Sequence, residues 1–184
     1  MISAPRSFTA RAVLTAAALL AACASLPNAS GEPPITAQTL SEALAASGYS
    51  SIPLKRLRIG VETVALRING QMGLFVLDTG ASLTVIDSRR LAKFGIDSGA
   101  PLNSTTAIGA GGGVLVSSYG VKTIGFGNHI YSIDRISAAD MSAVNASFVK
   151  DTGISVDGVL GHDVLSHLDA VIDLGSGRLF LRKP

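Results

Sequence analysis

Two triplets in this chain set a carboxylate beside a hydroxyl and a glycine: Asp78-Thr79-Gly80 and Asp151-Thr152-Gly153. Their settings differ. Asp78 ends the run Met72-Gly-Leu-Phe-Val-Leu77, apolar almost throughout, which predicts a strand buried on both faces. A charge at the end of such a strand is costly to hold away from water, so the acid is a candidate for proton chemistry. Asp151 follows Lys150, which breaks any buried strand before it, and Met141 to Val156 carries little pattern. That segment reads as a polar loop with a chance triplet. His162 and His167 are five apart, on different faces of any helix, with no Cys or Glu at metal-ligand spacing. With His129 they read as structural or surface residues. No serine sits in a G-x-S-x-G elbow, and the glycines from Gly109 to Gly113 lack the Gly-Lys-Ser/Thr of a phosphate loop. Asp157, Asp163, Asp169 and Asp173 read as turn, cap and strand-end acids, Asp163 with a possible arginine partner near an interface. Cys23 is the sole cysteine, which excludes an intrachain disulfide.

The elements that must position these groups follow from pattern. At 184 residues, 47% hydrophobic and 15% charged, the chain suits one globular domain plus a leader, and is too apolar for disorder. Arg6 and Arg11 account for the positive balance; beyond residue 22 basic and acidic residues balance at 13 each, so nothing argues for a nucleic-acid partner. Ala12 to Ala22 is an eleven-residue, largely apolar run, too short to span a bilayer and suited to a secretory signal (1–22). Residues 23–35 read as a tether, and 36–56 as a short helix over Thr39 to Ser47 with a connector. Thr39 and Glu42 have capping-box spacing, and Gly48 stands where a C′ glycine belongs. From Leu57 to the end, strand patterns dominate. Val64, Leu66 and Ile68 alternate with Ala65, Arg67 and Asn69, and Asn69-Gly70 predicts a type I′ hairpin into the Asp78 strand. Ser88 to Phe94 predicts a short helix ended by Gly95, and strands are expected over Gly120 to Phe126 and Ile130 to Ile136.

Two resemblances sharpen this reading. Leu20-Ala21-Ala22-Cys23 resembles the bacterial lipobox, whose cysteine is lipidated and begins the mature protein; ordinary cleavage at Ala22-Cys23-Ala24 is the alternative. Lipidation would place the protein in the periplasm of a Gram-negative bacterium, anchored to the outer membrane; ordinary cleavage would leave it soluble there. Second, Phe75-Val-Leu-Asp78-Thr79-Gly80-Ala81-Ser82-Leu-Thr84-Val-Ile86 resembles the active-site loop of retropepsin-like aspartic proteases. Asp157-Gly-Val159-Leu160-Gly161-His-Asp-Val-Leu165 resembles that family's second hallmark, and Val171 to Leu181 matches bacterial members. The likeness covers 57–184.

What the resemblance implies is a mostly-β acid-protease fold, one lobe per chain, with a closed barrel-like sheet and short helices, completed by homodimerisation. Two carboxylates then share one proton, the ionised one activating water and the protonated one supporting the carbonyl oxygen. Asp78 would supply one from each copy, since 33 residues after Asp151 leave no room for a second lobe. Thr79 would lock the two loops together, and Gly80 would leave room beside the water. Ala81, where pepsin-like enzymes have a donor to the aspartate, implies a mildly acidic to neutral working pH. Ala81 and Ser82 would contact an extended peptide from one side. Gly109, Gly111 and Gly112 would contact it from a flap within Thr106 to Val116. No metal or organic cofactor is implied. The competing readings are a catalytically silent binding or dimerisation module on the same fold, and a protease kept latent by the 39–47 helix.

Overall fold

The computed structural model describes residues 37–109 and 112–184. The expected leader, Cys23 and the tether lie outside the described residues, as does Gly111. Helix α1 (Ala37–Ala46) begins two residues before the Thr39 start expected, and Gly48 ends it at φ +83°. Strands β1 (Tyr49–Pro53) and β2 (Lys55–Arg56) follow. Then β3 (Glu62–Ile68) and β4 (Gln71–Leu77) form the hairpin that the alternation and Asn69-Gly70 predicted, with Ile68 opposite Gln71. Asn69 and Gly70 take φ of 49° and 84°, the left-handed pair that a two-residue I′ turn needs to match strand twist. Phe75 is wholly buried and tilts against Phe94 at a centroid distance of 6.1 Å. Gly73 and Gly158 make room for that ring: a Cβ on them would stand 2.7 and 2.5 Å from it. The expected burial on both faces is incomplete: Met72 is 47% exposed, and Leu74 and Leu77 are only half-buried.

Beyond the Asp78 loop run β5 (Val85–Asp87), a 3-10 helix (Ser88–Phe94) closed by Gly95 at φ +66°, β6 (Asn103–Gly109) and β7 (Gly112–Gly120). Strands β8 (Thr123–Phe126), β9 (His129–Ser132) and β10 (Arg135–Ala139) come next. The single strand expected over Ile130 to Ile136 is therefore two, broken at Ile133-Asp134, where two backbone bonds turn the chain back onto Lys122 and Val121. Helix α2 (Ser142–Thr152) replaces the loop expected there. Its apolar side chains do not fall on one face, and Val144 and Val149 are exposed, so periodicity gave no signal. A polar residue holds it instead: buried Asn145 bonds Val156 N and O at 2.8 and 3.0 Å and Asp87 Oδ2 at 2.9 Å. The chain ends with β11 (Gly158–Leu160), α3 (His162–His167), β12 (Val171–Asp173) and β13 (Arg178–Arg182).

These strands build a ten-stranded sheet, ordered β6-β7-β10-β5-β11-β4-β3-β8-β9 with β2 on β3, and a three-stranded sheet ordered β1-β13-β12. The residues before Leu57 are thus no free connector, because β1 pairs with β13 at five positions. The barrel-like closure expected is a correction: end strands β6 and β9 do not pair among the described residues. β10 pairs β7 only at Ser117–Gly120, whereas β6 pairs it along 103–109, so among the described residues the far half of that hairpin has no third strand paired to it. One connection decides the site. β11 inserts between β4, which it parallels, and β5, which it opposes, so the strands on either side of the Asp78 loop are held apart by a segment about eighty residues later. Among the described residues no helix is long and apolar enough to cross a membrane.

Candidate active site

The loop begins where β4 runs out. Asp78 N–H donates to Leu160 O at 3.1 Å, extending the parallel β4–β11 pairing by one residue. The chain then turns: Ala81 N–H donates to Asp78 O at 3.2 Å, and Gly80 N–H donates to the Asp78 carboxylate at 2.9 Å. A Cβ on Gly80 would stand 3.2 Å from that carboxylate oxygen, so glycine keeps the space beside the acid open. Asp78, Thr79, Gly80 and Ser82 are exposed in the single chain, and Ala81 is half-buried. The five loop residues singled out from sequence are therefore brought together.

Three contacts clamp this loop to β11 and α3. His162 N–H donates to Ala81 O at 2.8 Å. Gly161 lies so close that a Cβ would stand 2.4 Å from Leu83 O and 2.9 Å from Ala81 O. Thr84, 1% exposed, accepts from Gly161 N–H at 3.0 Å and donates to Asp163 Oδ1 at 2.7 Å, which also receives Thr84 N–H at 2.8 Å. Asp163, in the first turn of α3, thus holds the loop within its own chain. The role of Thr84 was missed; its signal was a hydroxyl on an otherwise apolar Leu83-Thr-Val-Ile86.

A cavity of about 390 Å³ opens beside Asp78 and Thr79, walled by Gly60, Val61, Glu62, Val76, Leu77, Ile172 and Leu174. Glu62 is 9% exposed; its Oε2 has no partner among the described residues, and Arg56 Nε stands 3.6 Å from Oε1. Sequence reasoning missed it, because an acid opening a strand looks like a solvated end. A second cavity, about 360 Å³, touches the other side of Thr79 along α3. The glycine hairpin is present as β6–β7, with Gly109 opposite Gly112; its sequence neighbours Leu102 and Leu115 are more than 60% exposed.

The second triplet does other work. Asp151-Thr152-Gly153 is the last turn of α2: Gly153 takes φ +73° and donates to Val149 O at 2.8 Å, while Thr152 Oγ1 donates to Phe148 O at 2.7 Å. The triplet sits on a helix end, which corrects the polar loop expected. Arg58 ties it down by donating from Nε to Asp151 O at 2.7 Å. The remaining acids are structural. Asp157, buried, accepts Leu74 N–H at 2.9 Å and Lys93 Nζ at 2.8 Å; Asp169 pairs Arg182 at 2.7 Å; Asp173 holds Ser176 in the β12–β13 turn. The Ser176 hydroxyl and amide hold the Asp173 carboxyl below its ordinary range. Burial alone pushes the Asp87 carboxyl up, but Arg89 and Asn145 outweigh it, leaving it lowered. His129 shares a 2.6 Å hydrogen bond with Ser50, and His162 and His167 are exposed. Among the described residues no three His, Cys, Asp or Glu gather as a metal site.

Comparison with known proteins finds one family and similar solved structures. A family model described as aspartyl protease matches residues 64–164, from β3 through the clamp on α3. A solved retropepsin-like aspartic protease from Rickettsia conorii superimposes with TM-score 0.52 at 17% identity, covering 72% of this chain and 90% of its own. EIAV protease complexed with the inhibitor HBY-793 aligns at 26% identity over 61% of this chain and 91% of its own, with TM-score 0.43. No curated relative matches the chain in sequence.

Proposed function

The chain belongs to the aspartyl protease family, and from that premise we propose that it is an envelope-anchored endopeptidase acting as a homodimer, with Asp78 of each copy forming the catalytic pair. The observation that carries this is the state of Asp78 in one chain. It stands exposed at the end of a buried strand, clamped by three contacts from β11 and α3, beside a cavity and with no second carboxylate in its loop. A two-fold partner supplies the missing acid with the same geometry.

In this reading one Asp78 is ionised and takes a proton from water as its oxygen attacks the peptide carbonyl carbon. The protonated Asp78 of the second copy donates to the carbonyl oxygen, giving a tetrahedral diol. A proton then passes to the amide nitrogen, the C–N bond breaks, and acid and amine products leave. Gly80, Ala81 and Ser82 contact the substrate backbone from below, and Gly109, Gly111 and Gly112 from the hairpin above, the peptide lying as an added strand. The motif ending in Cys23 supports diacylglycerol anchoring, which would concentrate copies on one membrane.

The test is hydrolysis of a denatured protein from pH 4 to 8 by the chain beginning at Ala24, at low and high concentration. Activity rising more than in proportion to concentration, lost in Asp78→Asn and kept in Asp151→Asn, is the expected result. A folded, self-associated chain without turnover at any pH would move the assignment to a binding module. For the anchor, Cys23→Ser should lose fatty-acid labelling and leave the membrane fraction.

A further inference from the structure

The outer face of the larger sheet is only half covered. Away from the main core, β3 presents Thr63, Ala65 and Arg67, and β4 presents Met72, Leu74 and Val76. The Asp78 end of this face is closed, because Val76 is buried with Met141 and Val156, and Phe148 of α2 packs there. The far end is open. Met72 lies opposite Arg67, Arg67 opposite Gly125, and Gly125 opposite Ile130, one row across β4, β3, β8 and β9. Gly125 brings no side chain to that row, so Ile130, 65% exposed, and Met72, 47% exposed, stand up from it. The charged side chains of this face are Arg67 and, opposite Thr63 on β2, Lys55; none of its strand positions is acidic. The row also stands clear of the two-fold contact proposed at Asp78 and Thr79. Met72 is six residues before Asp78 on an extended strand, about 20 Å, and β8 and β9 lie on the side of β3 away from β11.

Resting on the reading of Cys23 as a lipid anchor, we propose that this open half-face docks on the membrane surface, with anionic phospholipid as its partner. Two observations beyond exposure point to lipid. The first is charge: apolar and basic side chains together, with no acid among them, suit anionic headgroups lying over acyl chains. Ile130 and Met72 enter the boundary between heads and chains, while Arg67 and Lys55 keep their cations at the phosphates. Arg67 Nη1 donates to Gly127 O at 2.8 Å, which holds its guanidinium at the β8–β9 turn. The second observation is where the chain outside the described residues joins the domain. Thirteen residues, Ala24 to Thr36, separate Cys23 from α1 and span at most about 45 Å. Helix α1, about 15 Å long, leads through Gly48 into β1, whose Ser50 shares a 2.6 Å hydrogen bond with His129 of β9. An anchor at Cys23 therefore keeps the β9 side of the domain within reach of the bilayer, and the uncovered row lies on that side.

The experiment removes the anchor and asks whether the face binds by itself. The chain beginning at Ala24, which keeps every described residue and carries no acyl group, is sedimented with vesicles of phosphatidylethanolamine and phosphatidylglycerol. It should bind these, bind phosphatidylcholine vesicles less, and be released as salt rises. Met72→Ser and Ile130→Ser should each weaken partition about tenfold, as expected from losing one apolar side chain that lipid partly buries. Arg67→Gln and Lys55→Gln should each weaken it about fivefold. The chain has no tryptophan, so Ile130→Trp is a direct reporter. Its emission should shift to the blue with vesicles, while that of Leu115→Trp, on β7, should not. No binding, binding that both serine variants leave intact, or a blue shift from Leu115→Trp alone overturns the proposal. So does lower self-association in Met72→Ser or Ile130→Ser with partition unchanged, which would give the face to a second copy. Fatty-acid labelling of Cys23 in cells tests the anchor separately: an unlabelled chain that still partitions through this row sinks only the anchor reading.

Discussion

Two hydrogen bonds of the clamp between the Asp78 loop and β11–α3 run through one hydroxyl, so Thr84→Val is a sharp perturbation. Valine keeps the shape and burial of threonine and removes only the oxygen. That oxygen accepts from Gly161 N–H at 3.0 Å, a buried bond, and donates to Asp163 at 2.7 Å, a part-buried one. Losing the first leaves a buried amide unpaired, at about 1–3 kcal/mol, and losing the second removes a hydrogen bond to a charged group, at about 1.5–3 kcal/mol. Together they destabilise by about 2.5–6 kcal/mol, a large share of the roughly 5–15 kcal/mol of a typical domain. Thr84→Ser is the control: it keeps the oxygen and drops one buried methyl, for about 1 kcal/mol. Denaturant unfolding of both variants at one protein concentration separates the terms, since self-association shifts apparent stability. Peptide turnover should fall further in Thr84→Val than in Thr84→Ser, because the loop loses its register. A valine variant within 1 kcal/mol of the serine variant would refute the clamp as drawn here.

Three further outcomes follow from named contacts. Gly161→Ala places a methyl 2.4 Å from Leu83 O, so the loop must move by a good fraction of an ångström; kcat/KM should drop about a hundredfold, while far-ultraviolet circular dichroism stays unchanged. Asn145→Leu orphans the Val156 amide and carbonyl and should cost about 2–4 kcal/mol in denaturant unfolding, with hydrogen exchange accelerating first in α2. Asp87 gives the pH dependence. Its carboxyl is held below the ordinary 3.8 in the folded chain, so the stability it contributes is whole above that value and is lost as pH falls below it. Arg89→Gln weakens the hold, and its acid-unfolding midpoint should lie at higher pH than that of the parent. Finally, relief of latency should be sought by removing residues 24–48 only, because a cut at Ser51 would take two residues of β1 from its pairing with β13.

What the sequence made legible was local and periodic. The β3–β4 hairpin, its turn and the 3-10 segment closed by Gly95 each depend on neighbours within ten residues; the exposure of Asp78 in the single chain was not foreseen. What it hid was held by polar groups acting at a distance. Helix α2 has no apolar stripe to announce it, and Asn145 fixes it through partners 11 and 58 residues away. The same holds for Asp157, whose carboxylate meets Leu74 N–H and Lys93 across 83 and 64 residues. Glu62 was invisible for a different reason. It borders a cavity that Ile172 and Leu174, more than a hundred residues later, also line.

The two Asp-Thr-Gly triplets show how far a motif alone can carry. Both glycine amides are bonded locally, Gly80 N–H to the Asp78 carboxylate and Gly153 N–H to Val149 O. The difference lies in what feeds each acid. Asp151 ends a helix whose last amides and carbonyls already bond one another, so its carboxylate is left to Ser147 at 3.5 Å and to solvent. Asp78 ends a strand whose next ladder partner, Leu160, belongs to a segment arriving from far down the chain. That arrival wedges β4 from β5 and forces the loop out, and Gly161, Thr84 and Asp163 then fix where it stands. In the proposed reading, Val159-Leu160-Gly161 therefore carries as much of the assignment as the aspartate itself.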